Sequence, residues 1–147
     1  MFGINFEQYL WKPAHTADAR VGTKNLEFST SAFGFQEPGL GVFGRVAFLP
    51  EDRNAFSTSV SLGLAGRGLL SGRPLDRMGV AGYWLKASGD LGGLAGELLD
   101  DEWGGEIFYN YAITPSIQAS LDLQYIDSAV NTVDDAFVVG MRLFTQF

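Results

Sequence analysis

The chain has 147 residues, which by length makes one domain, and its formal charge of −7 excludes a phosphate backbone as partner, because nucleic acid needs a basic stripe. Zero cysteines argue against a disulfide-stapled secreted domain and against thiolate metal sites. Nineteen glycines and twelve phenylalanines, with five tyrosines and three tryptophans, favour β-structure, and no run of 18 apolar residues exists that could form a transmembrane helix. Mean hydropathy near zero leaves a membrane barrel open, since apolar and polar residues alternate there and cancel.

Seven segments of roughly ten residues alternate with a period of two, the strand signal. The first, Phe2 to Trp11, sets Ile4, Phe6 and Leu10 against Asn5 and Glu7. With no basic n-region and with Glu7 inside its apolar stretch, this N-terminus does not read as a signal peptide; a chain bound for the outer membrane is then either in mature form or missing its front. Gly39 to Leu49 follows, with Leu40, Val42, Val46 and Phe48 opposite Gly41, Arg45 and Ala47. Ala55 to Ala65 is the cleanest, placing Phe56, Thr58, Val60, Leu62 and Leu64 against Ser57, Ser59, Ser61, Gly63 and Ala65. Asp76 to Ala87 is ambiguous because Trp84 shares a face with Lys86. In Trp103 to Ala112, Ile107, Tyr109 and Tyr111 oppose Glu106, Phe108 and Asn110. In Ile117 to Ile126, Ala119, Leu121, Leu123 and Tyr125 oppose Gln118, Ser120, Asp122 and Gln124. The last, Ala136 to Phe147, carries Phe137, Val139, Met141, Leu143 and Phe147 on one face and Gly140, Arg142 and Gln146 on the other. A short additional strand is predicted over Leu26 to Ala32.

An alternating last strand that ends on an aromatic residue is how outer-membrane barrels of Gram-negative bacteria close, with the C-terminus at the periplasmic rim. It equally describes a half-buried strand of a soluble β-domain. If Phe147 is periplasmic, the link Thr114-Pro115-Ser116 is a short periplasmic turn, and Gly66 to Leu75 lies on the same side. Pro50 to Asn54, Ser88 to Glu102 and Asp127 to Asp135 become extracellular, the last two being long and acidic. Lys12 to Pro38 breaks the pattern as a long connector on the periplasmic side. A soluble barrel points its apolar set inward, a membrane barrel points it to lipid and keeps a polar lumen. The second faces here are rich in Gly, Ser and Ala with isolated charges, where a soluble protein usually carries Lys, Glu and Thr for solvation. Aromatics near strand ends (Tyr9, Trp11, Trp103, Tyr109, Tyr125 and Phe147) suit interfacial girdles. The expected fold class is therefore all-β: an antiparallel transmembrane β-barrel segment.

The blocks GLGVFGRVAF (39–48), SLGLAGRGLLSGRPLDRMGVAGYWLK (61–86), EIFYNYAITPSIQASLDLQYIDSA (106–129) and VVGMRLFTQF (138–147) resemble the C-terminal half of the carbohydrate-selective, OprB-like porins, and FEQYLWKP (6–13) is similar to the strand that precedes this region. The resemblance runs from about Phe2 to Phe147, and its specificity lies in the ordered set of turns rather than in any one piece. It implies a barrel of about sixteen strands in the outer membrane that passes sugars by diffusion. Implied partners are outer-membrane lipid and lipopolysaccharide, carbohydrate permeants, the barrel-assembly machinery acting on the C-terminal strand, and the missing N-terminal half or another barrel chain. No cofactor and no enzymatic activity are implied. The chain departs from the pattern by holding about seven strands and by the stretch Thr16 to Glu37, which looks like an insertion in the 12–38 connector. The competing expectation is a small complete barrel, either a membrane anchor or a soluble lipocalin-like binder.

Arg45, Glu106, Phe108, Asp122, Gln124 and Arg142 are the pore-lining candidates: charged groups can hydrogen-bond sugar hydroxyls, and an aromatic ring can stack on a sugar ring. A cross-strand network that only stiffens the wall is the plainer account of any one of them. Trp84 fits either a lumenal stacking position or a girdle. His15, the single histidine, lies in a loop with no Ser or Cys partner set around it. Asp100, Asp101, Glu102, Asp134 and Asp135 lack calcium-loop spacing and read as a solvated acidic rim able to share divalent cations with lipopolysaccharide. Gly63, Gly66 and Gly68 lack the spacing of a phosphate loop and read as turn and close-packing glycines.

Overall fold

The computed structural model describes residues 2–13, 37–89 and 98–145. His15, the strand predicted over Leu26 to Ala32, and Gln146 and Phe147 lie outside the described residues. The elements are β1 (Phe2–Trp11), β2 (Gly39–Phe48), β3 (Phe56–Arg67), β4 (Arg77–Ala87), β5 (Glu102–Thr114), β6 (Ile117–Asp127) and β7 (Ala136–Thr145). They form one seven-stranded antiparallel sheet in sequence order, a plain meander. The two-residue alternation of each segment is what fixes this arrangement, since a one-residue slip would carry every side chain to the opposite face.

Paired residues share a face, so the register reads directly as rungs across the sheet. Val42, Leu64, Val80, Ile107, Leu123 and Val139 make one apolar rung from β2 to β7. Leu40, Gly66, Met78, Tyr109, Leu121 and Met141 make the next. This face is open rather than packed: Leu62 is 56% exposed, Leu121 50% and Met141 84%. The buried apolar residues are the alanines Ala47, Ala65, Ala112 and Ala129, and no large side chain among the described residues is fully buried. A soluble barrel would close around its apolar set; this sheet presents it outward.

The turns alternate between the two ends of the meander. At one end β5 passes to β6 through Pro115 and Ser116, with the Ile117 N–H donating to Thr114 Oγ1 at 3.0 Å. At the same end the β3–β4 turn is closed by the Gly68 N–H on the Asp76 carbonyl, 2.9 Å. Gly68 and Gly72 hold φ of +65° and +76° in that turn, a backbone region an L side chain enters only with strain. Replacing either by alanine is expected to cost about 1–2 kcal/mol, Gly68→Ala the more, because a Cβ there would also meet the Pro74 carbonyl oxygen at 3.1 Å while one at Gly72 meets nothing. Urea titration of the detergent-refolded protein measures both.

At the opposite end the β4–β5 and β6–β7 loops are tied together. Leu99 bridges Val130, and the Asp100 and Asn131 N–H groups donate to the carbonyls of Ala129 and Leu98 at 2.8 and 3.1 Å. The long 12–38 connector has its two ends clasped. Trp11 pairs with Leu40 across β1 and β2, the Lys12 ammonium meets Glu37 Oε2 at 2.6 Å, and that ammonium lies 4.0 Å from the centre of the Tyr9 ring.

Candidate functional site

The face opposite the apolar one carries every pore-lining candidate. Asn5, Arg45, Ser61, Tyr83 and Gly104 form one of its rungs. Glu7, Phe43, Gly63, Ala81, Glu106 and Gln124 form the next. Tyr9, Gly41, Ala65, Gly79, Phe108 and Asp122 follow, and then Arg67, Arg77, Asn110, Ser120 and Arg142. Arg45, Glu106, Phe108, Asp122, Gln124 and Arg142 thus converge on one surface, in four successive rungs.

They do not all have the same occupation. Asp122 is 5% exposed and folded down over Gly140, the residue it pairs with on β7, where a Cβ would strike its carboxyl. Gln124 Nε2 donates to Asp122 Oδ2 at 3.1 Å, and the Arg142 guanidinium stands 3.9 Å from Asp122 Oδ1. These three form a wall-stiffening network. On the last rung Asn110 Nδ2 donates to Ser120 Oγ at 2.7 Å. Arg45 is exposed and Glu106 half-buried, and among the described residues neither makes a hydrogen bond or ion pair. Their charges face whatever fills the space above the sheet.

Three aromatic rings on this same face each sit against the glycine paired with them on a neighbouring strand. Phe43 covers Gly63, where a Cβ would come 2.7 Å from its Cε1; Tyr83 covers Gly104 with the same 2.7 Å to Cε1; Phe108 covers Gly79 with 2.6 Å to Cε1. Glycine is required at all three because any side chain would displace the ring. Gly63 is therefore a close-packing strand glycine and Gly68 a turn glycine. Phe43, Tyr83 and Gly104 are not singled out by the sequence, because alternation gives a residue's face but not its cross-strand partner.

On the apolar face Trp84 lies opposite Trp103, which decides its side, and Lys86 ends the same strand face at the rim. Trp103 and Tyr125 rings meet at 5.2 Å, tilted by 51°, and Trp11 sits exposed at the other end. Tyr109 shares this face, but its hydroxyl is committed: it donates to Asp76, the buried carboxylate of the β3–β4 turn. Asp76 also accepts from Arg73 Nε and Nη2 at 2.8 and 2.7 Å and from the Ala112 N–H at 2.9 Å. Arg73 Nη2 continues to the Ala112 carbonyl at 3.0 Å, and its guanidinium stacks 3.8 Å from the centre of the Tyr111 ring. Burial works to raise the Asp76 carboxyl, but Arg73, Tyr109 and the Ala112 N–H together hold it below its ordinary value. One ion pair thus latches the β3–β4 turn to β5. The spacing Arg73-Pro74-Leu75-Asp76 is the one sequence signal that could have announced it.

A wall with one lipid-compatible apolar face, one polar face and short turns at one end is the outer-membrane barrel pattern. The sequence matches the carbohydrate-selective porin, OprB family over residues 5–147. The chain belongs to that family. It is a family of channels, not of enzymes, and its members are β-barrels of the outer membrane. A similar solved structure, the high-pH structure of Pseudomonas putida OprB, superposes with a TM-score of 0.64 at 22% identity, covering 74% of this chain and 30% of that one. The chain therefore spans less than a third of that structure's length, and the likeness is one of fold. A search among curated proteins gave no match. Among the described residues no group of three or more His, Cys, Asp or Glu is placed to hold a metal ion.

Proposed function

We propose that the chain forms the C-terminal portion of a porin wall, about seven of some sixteen strands, through which carbohydrates diffuse passively across the bacterial outer membrane. The observation that carries this reading is the division of the sheet. Its apolar face is open enough to meet lipid, while the opposite face holds Arg45 and Glu106 with no protein partner among the described residues. Uncommitted charges lining an aqueous passage offer hydrogen bonds to hydroxylated solutes without holding them tightly. Arg45, Glu106, Phe108, Asp122, Gln124 and Arg142 are pore-lining in this arrangement, and Trp11, Trp103, Tyr109, Tyr125 and Phe147 border the membrane. Lipid covers the outer wall, lipopolysaccharide with shared divalent cations meets the acidic loops around Asp100 and Asp135, and the barrel-assembly machinery takes up the last strand. The 12–38 segment, a long connector or an insertion, links β1 and β2 on the side assigned to the periplasm.

Liposome swelling tests the function: vesicles holding the full-length gene product should swell in glucose and in disaccharides at rates that fall with solute size. Swelling no faster than in empty vesicles would refute it. The assignment of faces has its own test. Leu121→Arg, on the lipid side, is expected to destabilise the folded barrel by roughly 2 kcal/mol, while Glu106→Arg, on the aqueous side and at a residue without a partner among the described ones, leaves urea stability nearly unchanged and alters conductance.

A further inference from the structure

Resting on the assignment of the apolar face to lipid, we propose that the outer wall holds one glycerophospholipid, with an acyl chain in a groove across β2 to β6 and its phosphate on Arg73. The groove measures about 480 Å³, within the roughly 300–1,000 Å³ of small-molecule sites. Leu40, Leu64, Leu69, Met78, Ile107 and Leu121 line it. Gly66, in the rung between Leu40 and Met78, has no side chain to fill the wall there. Leu69 folds back from the β3–β4 turn against it, its Cδ1 2.8 Å from where a Cβ would stand. The turn thus reaches onto the lipid face.

Tyr109 lines the same groove and connects it to a cation. Its hydroxyl donates to Asp76, Asp76 accepts from Arg73, and the Arg73 guanidinium lies 3.8 Å from the centre of the Tyr111 ring. Tyr111 is one step beyond Tyr109 on the same face, about 7 Å toward the β5–β6 turn. Asp76 is buried and Arg73 partly exposed, so the positive member of the pair is the one that faces outward. It stands at the rim, the level at which headgroups meet a barrel wall.

The latch does not use up Arg73. Nε and Nη2 donate to Asp76 and to the Ala112 carbonyl, while Nη1 makes no hydrogen bond among the described residues. An unmet N–H at the edge of hydrocarbon is costly, and a phosphate diester offers a guanidinium charged acceptor oxygens. An acyl chain alone fills the groove without meeting Nη1, and a free phosphate meets Nη1 without filling the groove. A glycerophospholipid does both. Arg73 lies at the end assigned to the periplasm, so the lipid belongs to the inner leaflet.

Native mass spectrometry of the full-length gene product in detergent, titrated with phosphatidylglycerol, tests this. Diacylglycerol of the same chains and glycerophosphate are the controls. One phosphatidylglycerol retained per barrel is expected, held about tenfold or more tightly than either control, the range for a hydrogen bond to a charged group. Arg73→Lys keeps a cation for Asp76 but removes the Nη1 donors, and Leu121→Trp leaves the latch intact while filling the groove. Each should weaken phosphatidylglycerol binding roughly tenfold. Should the first variant fail to refold, the second carries the test, since it removes no side-chain hydrogen bond. Equal retention of phosphatidylglycerol and diacylglycerol, glycerophosphate bound as tightly as the whole lipid, or unchanged affinity in the folded variants would overturn the site, while sugar-driven swelling leaves the porin standing. Unchanged urea stability in Leu121→Arg would remove the lipid-facing assignment and the site with it.

Discussion

Refolded in detergent and offered to a planar bilayer on its own, the 147-residue chain is expected to give no conductance steps that a sugar can block. The reason is at the two ends of the meander. β1 pairs only with β2 and β7 only with β6, so each leaves a row of backbone N–H and C=O groups without strand partners among the described residues. In hydrocarbon each such group costs several kcal/mol, and an open edge of ten residues cannot persist there. The sheet has to acquire further strands before it encloses water. Single-channel recording, with a full-length member of the family as positive control, measures this. Reproducible steps from the chain alone, blocked by glucose, would show that seven strands close by themselves.

The second large effect is expected at Asp76. Substitution by alanine removes the acceptor for Arg73, for the Tyr109 hydroxyl and for the Ala112 N–H together, at a position 3% exposed. Breaking such a buried ion pair from one side leaves its partners stranded, and a loss of about 3 kcal/mol in urea stability is expected. The same node sets a pH dependence. Because the folded carboxyl sits below its ordinary value of 3.8, the stability it contributes is fully present above that value and is lost as pH falls through the folded one. The unmodified protein should therefore lose stability in acid below about pH 4, and Asp76→Asn should lose less over the same interval. Identical acid sensitivity in both would show that other carboxylates govern it.

All seven strands can be read from alternation alone, because apolar side chains recur every second residue wherever one face of a sheet is open to lipid. Their ends are less legible. β3 continues to Arg67, beyond Ala65, and β5 runs from Glu102 to Thr114 on both sides of the expected segment, because glycines and charges near a rim satisfy the pattern without declaring it. Trp84 beside Lys86 is ambiguous in one dimension and resolved in two, once Trp103 stands opposite the first and the second ends the strand. The polar candidates share a face as their parity requires, yet parity cannot separate the Asp122–Gln124–Arg142 network from the uncommitted Arg45 and Glu106. That difference depends on which residues register opposes. The Asp76 latch is equally invisible to periodicity, as its partners come from a turn and from a strand more than thirty residues away.

The clasp between Trp11, Lys12 and Glu37, Leu40 makes the 12–38 connector a permissive position for added sequence. Strand pairing already holds its two ends together, so the pairing of β1 with β2 does not depend on the length of the link between them. Closure entropy grows only logarithmically with length, about 0.6 kcal/mol for each doubling. Added length between β1 and β2 therefore costs their pairing little, and a chain carrying a peptide tag inserted between Lys12 and Glu37 should keep its urea midpoint.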